Sequence, residues 1–435
     1  MDPTLVGILS IVGMLVFLVI GLPVAFAMGL AGFLGFVYLS GTNTAFGVLY
    51  NLPYRTISSW LFSVIPMFIL MGDFAFYSGI TSELFSAARK WLGRIPGGLA
   101  VATIAAAAGF AATTGAAMAS AAAMTRIAVP EMEKAGYQRK MALGTVAIGG
   151  TLAGIIPPSV GLVIFGILTE TSIARLLIGG ILPGILIAAL LMLFTMLRVM
   201  RNPALAPMVQ ENIALREKLN SLKGVWGALV LFLFVMGALY TGITTPTEAA
   251  AVGAFGALVI ALAKRNLNRG NFKEALFDTG RTTAMIMFIF VGGMIFSRFL
   301  TFTNLPQQFV ALIENVGMHP AVFIVAITVM YVILGMFIDQ TSMTLITIPI
   351  IFPVVVALGF NPVWFGVYFA MLANLGQVTP PVGLVCYVIK GTLPDCTLEE
   401  VFAGCIPFFI VELVALVILA VFPIITTFLP SQMMG

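Results

Sequence analysis

Gly154-Ile-Ile-Pro-Pro-Ser-Val-Gly-Leu-Val163 recurs 222 residues later as Gly376-Gln-Val-Thr-Pro-Pro-Val-Gly-Leu-Val385. Aligned without gaps, Gly154/Gly376, Pro158/Pro380, Val160/Val382, Gly161/Gly383, Leu162/Leu384 and Val163/Val385 are identical. Each copy sets a Pro-Pro pair inside an apolar segment of spanning length. Proline has no N–H and clashes with the preceding turn, so the helix breaks there. Unwound backbone at membrane depth survives only where protein or a cavity surrounds it. Interrupted helices at matching positions of two halves point to the binding site of a secondary transporter. Two ordinary proline kinks are the structural alternative; the match between the whole halves argues against it.

Composition sets the class. The chain has 60% hydrophobic and 9% charged residues and a mean hydropathy of +1.11. It contains many apolar runs long enough to cross a bilayer and no stretch suited to a separate soluble domain. The net charge of +4 does not suggest a nucleic-acid partner, because in a membrane protein the placement of charge matters more than its sum. Cys386, Cys396 and Cys405 lack metal-type spacing and read as packing residues. Ala25-Phe-Ala27 follows an apolar run, as a signal cleavage site would, but Asp2 precedes it without Lys or Arg and the apolar run continues. The expectation is an uncleaved first span.

In order, spans are expected at about 4–20, 22–41 and 57–79, with a mixed loop at 42–56. Residues 81–97 carry Leu84, Phe85, Ala88, Trp91 and Leu92 at helical spacing, which predicts an amphipathic surface helix. The Ala-rich run 98–128 lies between two basic flanks, so a re-entrant hairpin with its tip near 113–116 is expected rather than a crossing. A broken helix at about 141–168 and a span at 174–197 end the first half. The second half repeats the plan after the charged segment 198–223: spans at 225–241 and 245–263, a basic linker at 264–281, a span at 282–300, and a loop or surface helix at 301–319. A hairpin at 320–357, a broken helix at 363–389 and a span at 400–428 complete it.

The expected fold is thus an all-α integral membrane protein with a first repeat at 1–200, a cytoplasmic connector at 201–224 and a second repeat at 225–435. Each repeat has five crossings, one of them broken, and one hairpin. Five is odd, so the second repeat is inverted. The basic residues give an independent reading. Loops 80–97, 126–140, 198–223, 264–281 and 390–400 hold 18 of the 21 Lys and Arg, leaving Arg55, Arg175 and Arg298 on the other side. The basic side is cytoplasmic, and both termini fall outside the cytoplasm.

Two tips and two breaks should meet near the midplane. Half-helix N-termini there can hold an anion, and freed carbonyls with hydroxyls suit Na⁺. The polar residues at these places are Thr113, Thr114, Ser120, Thr151 and Ser159, then Asp339, Gln340, Thr341, Ser342, Asn374, Gln377 and Thr379. Thr113, Ser159, Ser342 and Gln377 are the candidates for substrate. Membrane hydroxyls more often bond their own backbone or mediate packing. Asp339 stands out, since an intramembrane carboxylate is expensive and usually functional; capping a half-helix is its structural alternative. Asp73, Glu248 and Glu412 rank below it. His319, the only histidine, precedes a proline in an outer loop. One histidine excludes H-E-x-x-H, and no P-loop motif is present, so an enzyme is not expected.

At these residues the sequence resembles the DctM-like large membrane subunit of tripartite ATP-independent periplasmic (TRAP) transporters. The motifs are Gly21-Leu-Pro-Val-Ala-Phe-Ala27, Ile65-Pro-Met-Phe-Ile-Leu-Met-Gly72, Val129-Pro-Glu-Met132 with Gly136-Tyr137, Ile155-Ile-Pro-Pro-Ser159 and Thr379-Pro-Pro-Val-Gly-Leu384. The resemblance implies an elevator-type transporter of the bacterial inner membrane, driven by Na⁺. It implies a small four-span membrane subunit and a periplasmic binding protein that delivers an organic acid, such as a C4-dicarboxylate or a sialic or sugar acid. By position, it implies Na⁺ sites at Thr114, Gly115, Gly154 and Pro157, and at Asp339, Thr341, Gly376 and Thr379. The family often has serines where Ala116 and Ala117 stand, so a first Na⁺ site would lean on backbone carbonyls. A stand-alone anion symporter or exchanger of the same architecture is the alternative. A receptor or scaffold would not need the doubled breaks. If the topology is right, a reporter that is active only in the cytoplasm should be silent when fused after Gly435. Strong activity would overturn the inverted repeat.

Overall fold

The computed structural model describes residues 2–207 and 213–433. Residues 208–212 of the expected connector and the expected periplasmic end at Gly435 lie outside the described residues. Among the described residues every regular element is helical. Eight helical segments are long and apolar enough to cross a bilayer.

The first half runs Pro3–Val19, Val24–Ile57, a short turn at Trp60–Ser63 leading into Val64–Tyr77, and Ile80–Leu92. A pair of helices follows, Gly98–Thr114 and Ala117–Lys134, and then an interrupted helix, Arg139–Thr151 and Val160–Thr169. Ile173–Gly179 and Ile181–Arg201 close the half. The second half runs Leu215–Tyr240, Pro246–Ala263, Arg269–Phe302 and Leu305–Asn315. Its helix pair is Pro320–Gly335 and Gln340–Ala357, its interrupted helix is Pro362–Gly376 and Leu384–Thr392, and Leu398–Val421 and Ile424–Ser431 end it.

Local chemistry sets these boundaries. Thr245 with Glu248 and Thr397 with Glu400 form reciprocal capping boxes that start two of the spans. Asn268 caps Arg269–Phe302 by accepting from Asn271 N–H at 2.8 Å. That cap corrects one expectation: most of the basic stretch 264–281 is the first turns of a long helix rather than a linker. Residues 42–56 also differ from expectation. They continue the second helix past a kink at Gly41, whose φ is +81°. Their polar side chains do not oppose the helix, because Thr44 Oγ and Asn51 Nδ2 donate to the carbonyls four residues back, at 3.0 and 2.8 Å. The last span stops at Val421 and resumes at Ile424 beyond Pro423.

Packing fixes two seams that position the site. Helix 24–57 lies along helix 269–302, with Phe36 edge-on to Phe299 at 5.3 Å. Helix 139–151 crosses helix 398–421 where Gly144 meets Gly404, and a Cβ on either glycine would overlap the other helix's backbone. Small residues at such crossings let membrane helices approach closely. Gly144→Ala should therefore destabilise the protein by about 1–3 kcal/mol or more, the usual cost of overpacking. Gly237→Ala, in a helix with open space around it, should be neutral or stabilising by up to about 1 kcal/mol. Thermal unfolding of the two variants in detergent tests the pair, and equal effects would contradict the packing.

Candidate functional site

The first helix pair turns at Gly115, which adopts the left-handed region at φ +63°, and at Ala116, which is extended. The first break begins where helix 139–151 tightens into a turn at Leu152–Gly154 and unwinds through residues 155–159. Ser159 then starts the next half-helix: its Oγ accepts from Leu162 N–H at 3.4 Å and donates to the Gly154 carbonyl at 2.8 Å. The second break runs from Gln377 to Gly383. The Pro157–Pro158 and Pro380–Pro381 bonds are both cis. The second helix pair turns through residues 336–339, ending on Asp339.

Each break is bonded to the tip of its own half. Val160 N–H donates to the Gly115 carbonyl at 3.3 Å, and Gly383 N–H donates to the Met336 carbonyl at 3.1 Å. At the second tip a Cβ on Gly335 would come within 2.8 Å of Gly376 Cα, so only glycine fits this approach. The halves also interlock: the Asn374 amide lies against Gly154 and the Gln340 amide against Gly161. All four interruptions thus converge.

They surround one cavity of about 720 Å³. Thr114, Gly115, Gly154, Asp339, Thr341 and Gln377 line it. The other expected site residues lie behind this lining. Thr113 is buried, with Oγ donating to the Phe110 carbonyl at 2.8 Å. Ser159 is the cap described above, and Ser342 Oγ donates to Asp339. Thr379 Oγ donates to the Leu375 carbonyl at 2.7 Å, Pro157 is buried in the first break, and Gly376 packs on Gly335.

Asp339 caps its half-helix, with Oδ2 accepting from Thr341 N–H at 2.9 Å and Ser342 N–H at 3.2 Å. Of the four half-helices that begin at the interruptions, those after Ser159 and Asp339 are capped by side chains. Those after Ala116 and Gly383 are not. The first N–H groups of a helix have no partner within it, and Ala117, Met118 and Ala119 line the cavity. The sequence reading missed these three residues as site residues, and the signal for them was the absence of any capping side chain at Ala116.

The cavity extends to Arg126, Asp73, Glu274 and Asp278, the last three in helices 64–77 and 269–302. Asp73 Oδ2 accepts from Thr279 Oγ at 2.6 Å. Beyond the spans, Arg139 at the start of the first broken helix donates to Asp395, just after the second, at 2.6 Å. That hydrogen bond holds the Asp395 carboxyl below the usual carboxylate range.

This is the fold of a membrane transporter. YdaH of Alcanivorax borkumensis superposes with a TM-score of 0.63 at 15% identity, covering 97% of this chain and 98% of that one. MtrF of Neisseria gonorrhoeae superposes at 0.59 and 13% identity, covering 89% and 85%. Residues 11–425 match the tripartite ATP-independent periplasmic transporter, DctM component, and the chain belongs to that family. It is 32% identical to the C4-dicarboxylate TRAP transporter large permease protein DctM of Pseudomonas aeruginosa, over 87% of this chain and 88% of that protein. It is 30% identical to the sialic acid large permease SiaM of Vibrio cholerae, over 98% and 99%. It is 31% identical to the 2,3-diketo-L-gulonate large permease YiaN of Escherichia coli, over 93% and 94%. The relatives are named as transporter permeases, not enzymes, and the chain is a multi-pass membrane protein of a bacterial TRAP transporter.

The cap makes a prediction that does not depend on transport. Asp339→Ala should lower stability by about 1 kcal/mol, the usual loss for an N-cap, while Asp339→Asn keeps an acceptor and should cost a few tenths at most. Thermal unfolding in Na⁺-free buffer measures both, and equal losses would argue against the cap.

Proposed function

We propose that this chain is the membrane-spanning carrier of a Na⁺-driven uptake system for an organic acid in the bacterial inner membrane. The observation that carries the reading is the convergence of two tips and two breaks on one cavity that offers both kinds of ligand group. The unpartnered N–H groups of Ala117, Met118 and Ala119 suit a carboxylate. Gln340 and Gln377 add side-chain amides to the lining of the same cavity. The names of the relatives, which cover C4-dicarboxylate, sialic acid and 2,3-diketo-L-gulonate transporters, agree with a carboxylate substrate.

Na⁺ would sit where each tip meets its break, at Thr114, Gly115, Gly154 and Pro157 and at Asp339, Thr341, Gly376 and Thr379. The hydroxyls of Thr114 and Thr379 each give their proton to a carbonyl. A hydroxyl oxygen has two lone pairs, so each oxygen remains a ligand for a hard cation. If two Na⁺ enter with one monoanion, a potential of 100 mV contributes roughly 2.3 kcal/mol per cycle.

In this reading the halves form an inverted repeat with both termini periplasmic, and the two helix pairs re-enter from opposite faces. The first broken helix, bonded through Arg139 to Asp395 just after the second and packed on helix 398–421 at the Gly144–Gly404 crossing, moves with them as one elevator body against helices 24–57 and 269–302. The cavity reaches Arg126, Glu274 and Asp278, which lie in segments assigned to the cytoplasm by charge, so this conformation faces inward. A four-span subunit and a periplasmic binding protein complete the system.

Uptake in reconstituted vesicles should require Na⁺ at fixed pH and the cognate binding protein. Asp339→Asn should raise the Na⁺ concentration for half-maximal uptake several-fold, and Thr379→Val should do so more weakly. Uptake indifferent to Na⁺ would end the proposal, and unaltered Na⁺ dependence in Asp339→Asn would leave that residue only its cap.

A further inference from the structure

Glu412 is a buried carboxyl that the proposed mechanism does not use. It lies on helix 398–421 with 2% of its surface exposed, away from the cavity lining. Its Oε1 is 3.1 Å from Thr151 Oγ, and its Oε2 has no hydrogen-bond partner. Thr151 is the last residue of the helix that leads into the first break.

Counting protons decides the state of this pair. Thr151 Oγ is also 2.7 Å from the Ile148 carbonyl. A carbonyl only accepts, and a hydroxyl has one proton to give. The shorter contact takes that proton, so the longer one needs a proton from the carboxyl. A charged carboxylate here would have no cation, and it could take the Thr151 proton only at the expense of the shorter bond to the Ile148 carbonyl. A charge buried without a partner is among the most expensive groups a protein can hold.

The surrounding charges do not supply a counter-ion. Helix 139–151 brings Arg139, which bonds Asp395 and Glu133, and exposed Lys140. Helix 181–201 brings Arg198, which lies over the Phe408 ring at 5.9 Å and donates to Met141 Sδ, and exposed Arg201. Helix 362–376 brings Tyr368, bonded to Thr328. Helix 384–392 brings Cys386, exposed Tyr387, and Lys390, which donates to the Pro394 and Cys396 carbonyls. The helix itself adds Glu399, Glu400 and Cys405, and of these groups the Cys405 thiol, itself paired with Cys386, is the one that interacts with Glu412.

We propose that Glu412 is a proton-binding site, whose carboxyl O–H donates to Thr151 Oγ and thereby anchors the end of the helix that enters the first break. The site is separate from the Na⁺ and substrate positions. The protonated form is the competent one, so uptake is lost as pH rises through the titration of this group.

Infrared spectroscopy of the purified protein tests the protonation without transport, so it can succeed or fail independently of the proposed function. Wild type at neutral pH should show a protonated-carboxyl C=O band that Glu412→Gln removes and Thr151→Val shifts. In uptake assays, wild-type activity should fall by up to about tenfold per pH unit in the alkaline range, as for loss of one proton. Glu412→Gln keeps a neutral donor and should lose that decline while retaining the wild-type Na⁺ requirement. The proposal is overturned if the band is absent from wild type, or if it persists unchanged in both variants. It is also overturned if Glu412→Gln keeps the alkaline decline, or raises the Na⁺ requirement instead. If Glu412→Gln does not fold, the wild-type titration and the shift in Thr151→Val still decide the outcome.

Discussion

A peptide group with no partner in an apolar interior costs a few kcal/mol, and this chain exposes many of them by breaking two helices at depth. The architecture follows from how those groups are satisfied. Each break gives an amide to a tip carbonyl, Val160 to Gly115 and Gly383 to Met336. Tip and break therefore need each other: without the tip, the break is left with an orphaned donor, and without the break, the tip has an unused acceptor. Ser159 closes another loop within the first break by bonding Gly154 on one side and Leu162 on the other. Gly115, Gly154 and Gln377, at the edges of these interruptions, line the cavity.

Where a local rule acts alone, the sequence was readable. Pro-Pro inside an apolar run can only interrupt a helix, and both breaks fall where the pairs stand. The first tip was legible from small residues between two basic flanks, and the structure turns there at Gly115 and Ala116. Where two rules compete, the reading failed. Thr44 and Asn51 look like loop residues, but their side chains bond back to the helix and make 42–56 helical. Asn268 caps a helix inside what composition presents as a basic linker.

The candidate site was legible only in its outline. Sequence spacing brought the tips and breaks together, and six of the expected residues line the cavity. It did not separate lining from support. Thr113, Ser159 and Thr379 carry the same hydroxyl chemistry as lining residues but bond backbone instead, and Ser342 bonds the Asp339 side chain. Which way a side chain points depends on helix phase near a break, where the regular period is lost. Glu412 was visible as an intramembrane acid, but its tie to Thr151 spans 261 residues and appears only in three dimensions.

The uneven capping gives the cavity its polarity. Ser159 and Asp339 satisfy the first N–H groups of their own half-helices, which leaves those two ends less able to take an anion. Ala116 has no side chain to offer, and an alanine N-cap forgoes about 1 kcal/mol relative to serine. A serine there would hold the ends of the first turn with its own oxygen, and a bound carboxylate would have to displace it. With alanine, under the proposed function, the unbound state would carry the cost and a bound carboxylate would remove it. The interaction is then made only when ligand is present, and only such differential interactions can shift a carrier from one conformation to another. The alanines at 116 and 117 leave the first N–H groups of this half-helix without a side-chain cap at the cavity. The capped tip at Asp339 supplies the opposite chemistry, a carboxylate that already holds two backbone N–H groups, to the lining of the same cavity.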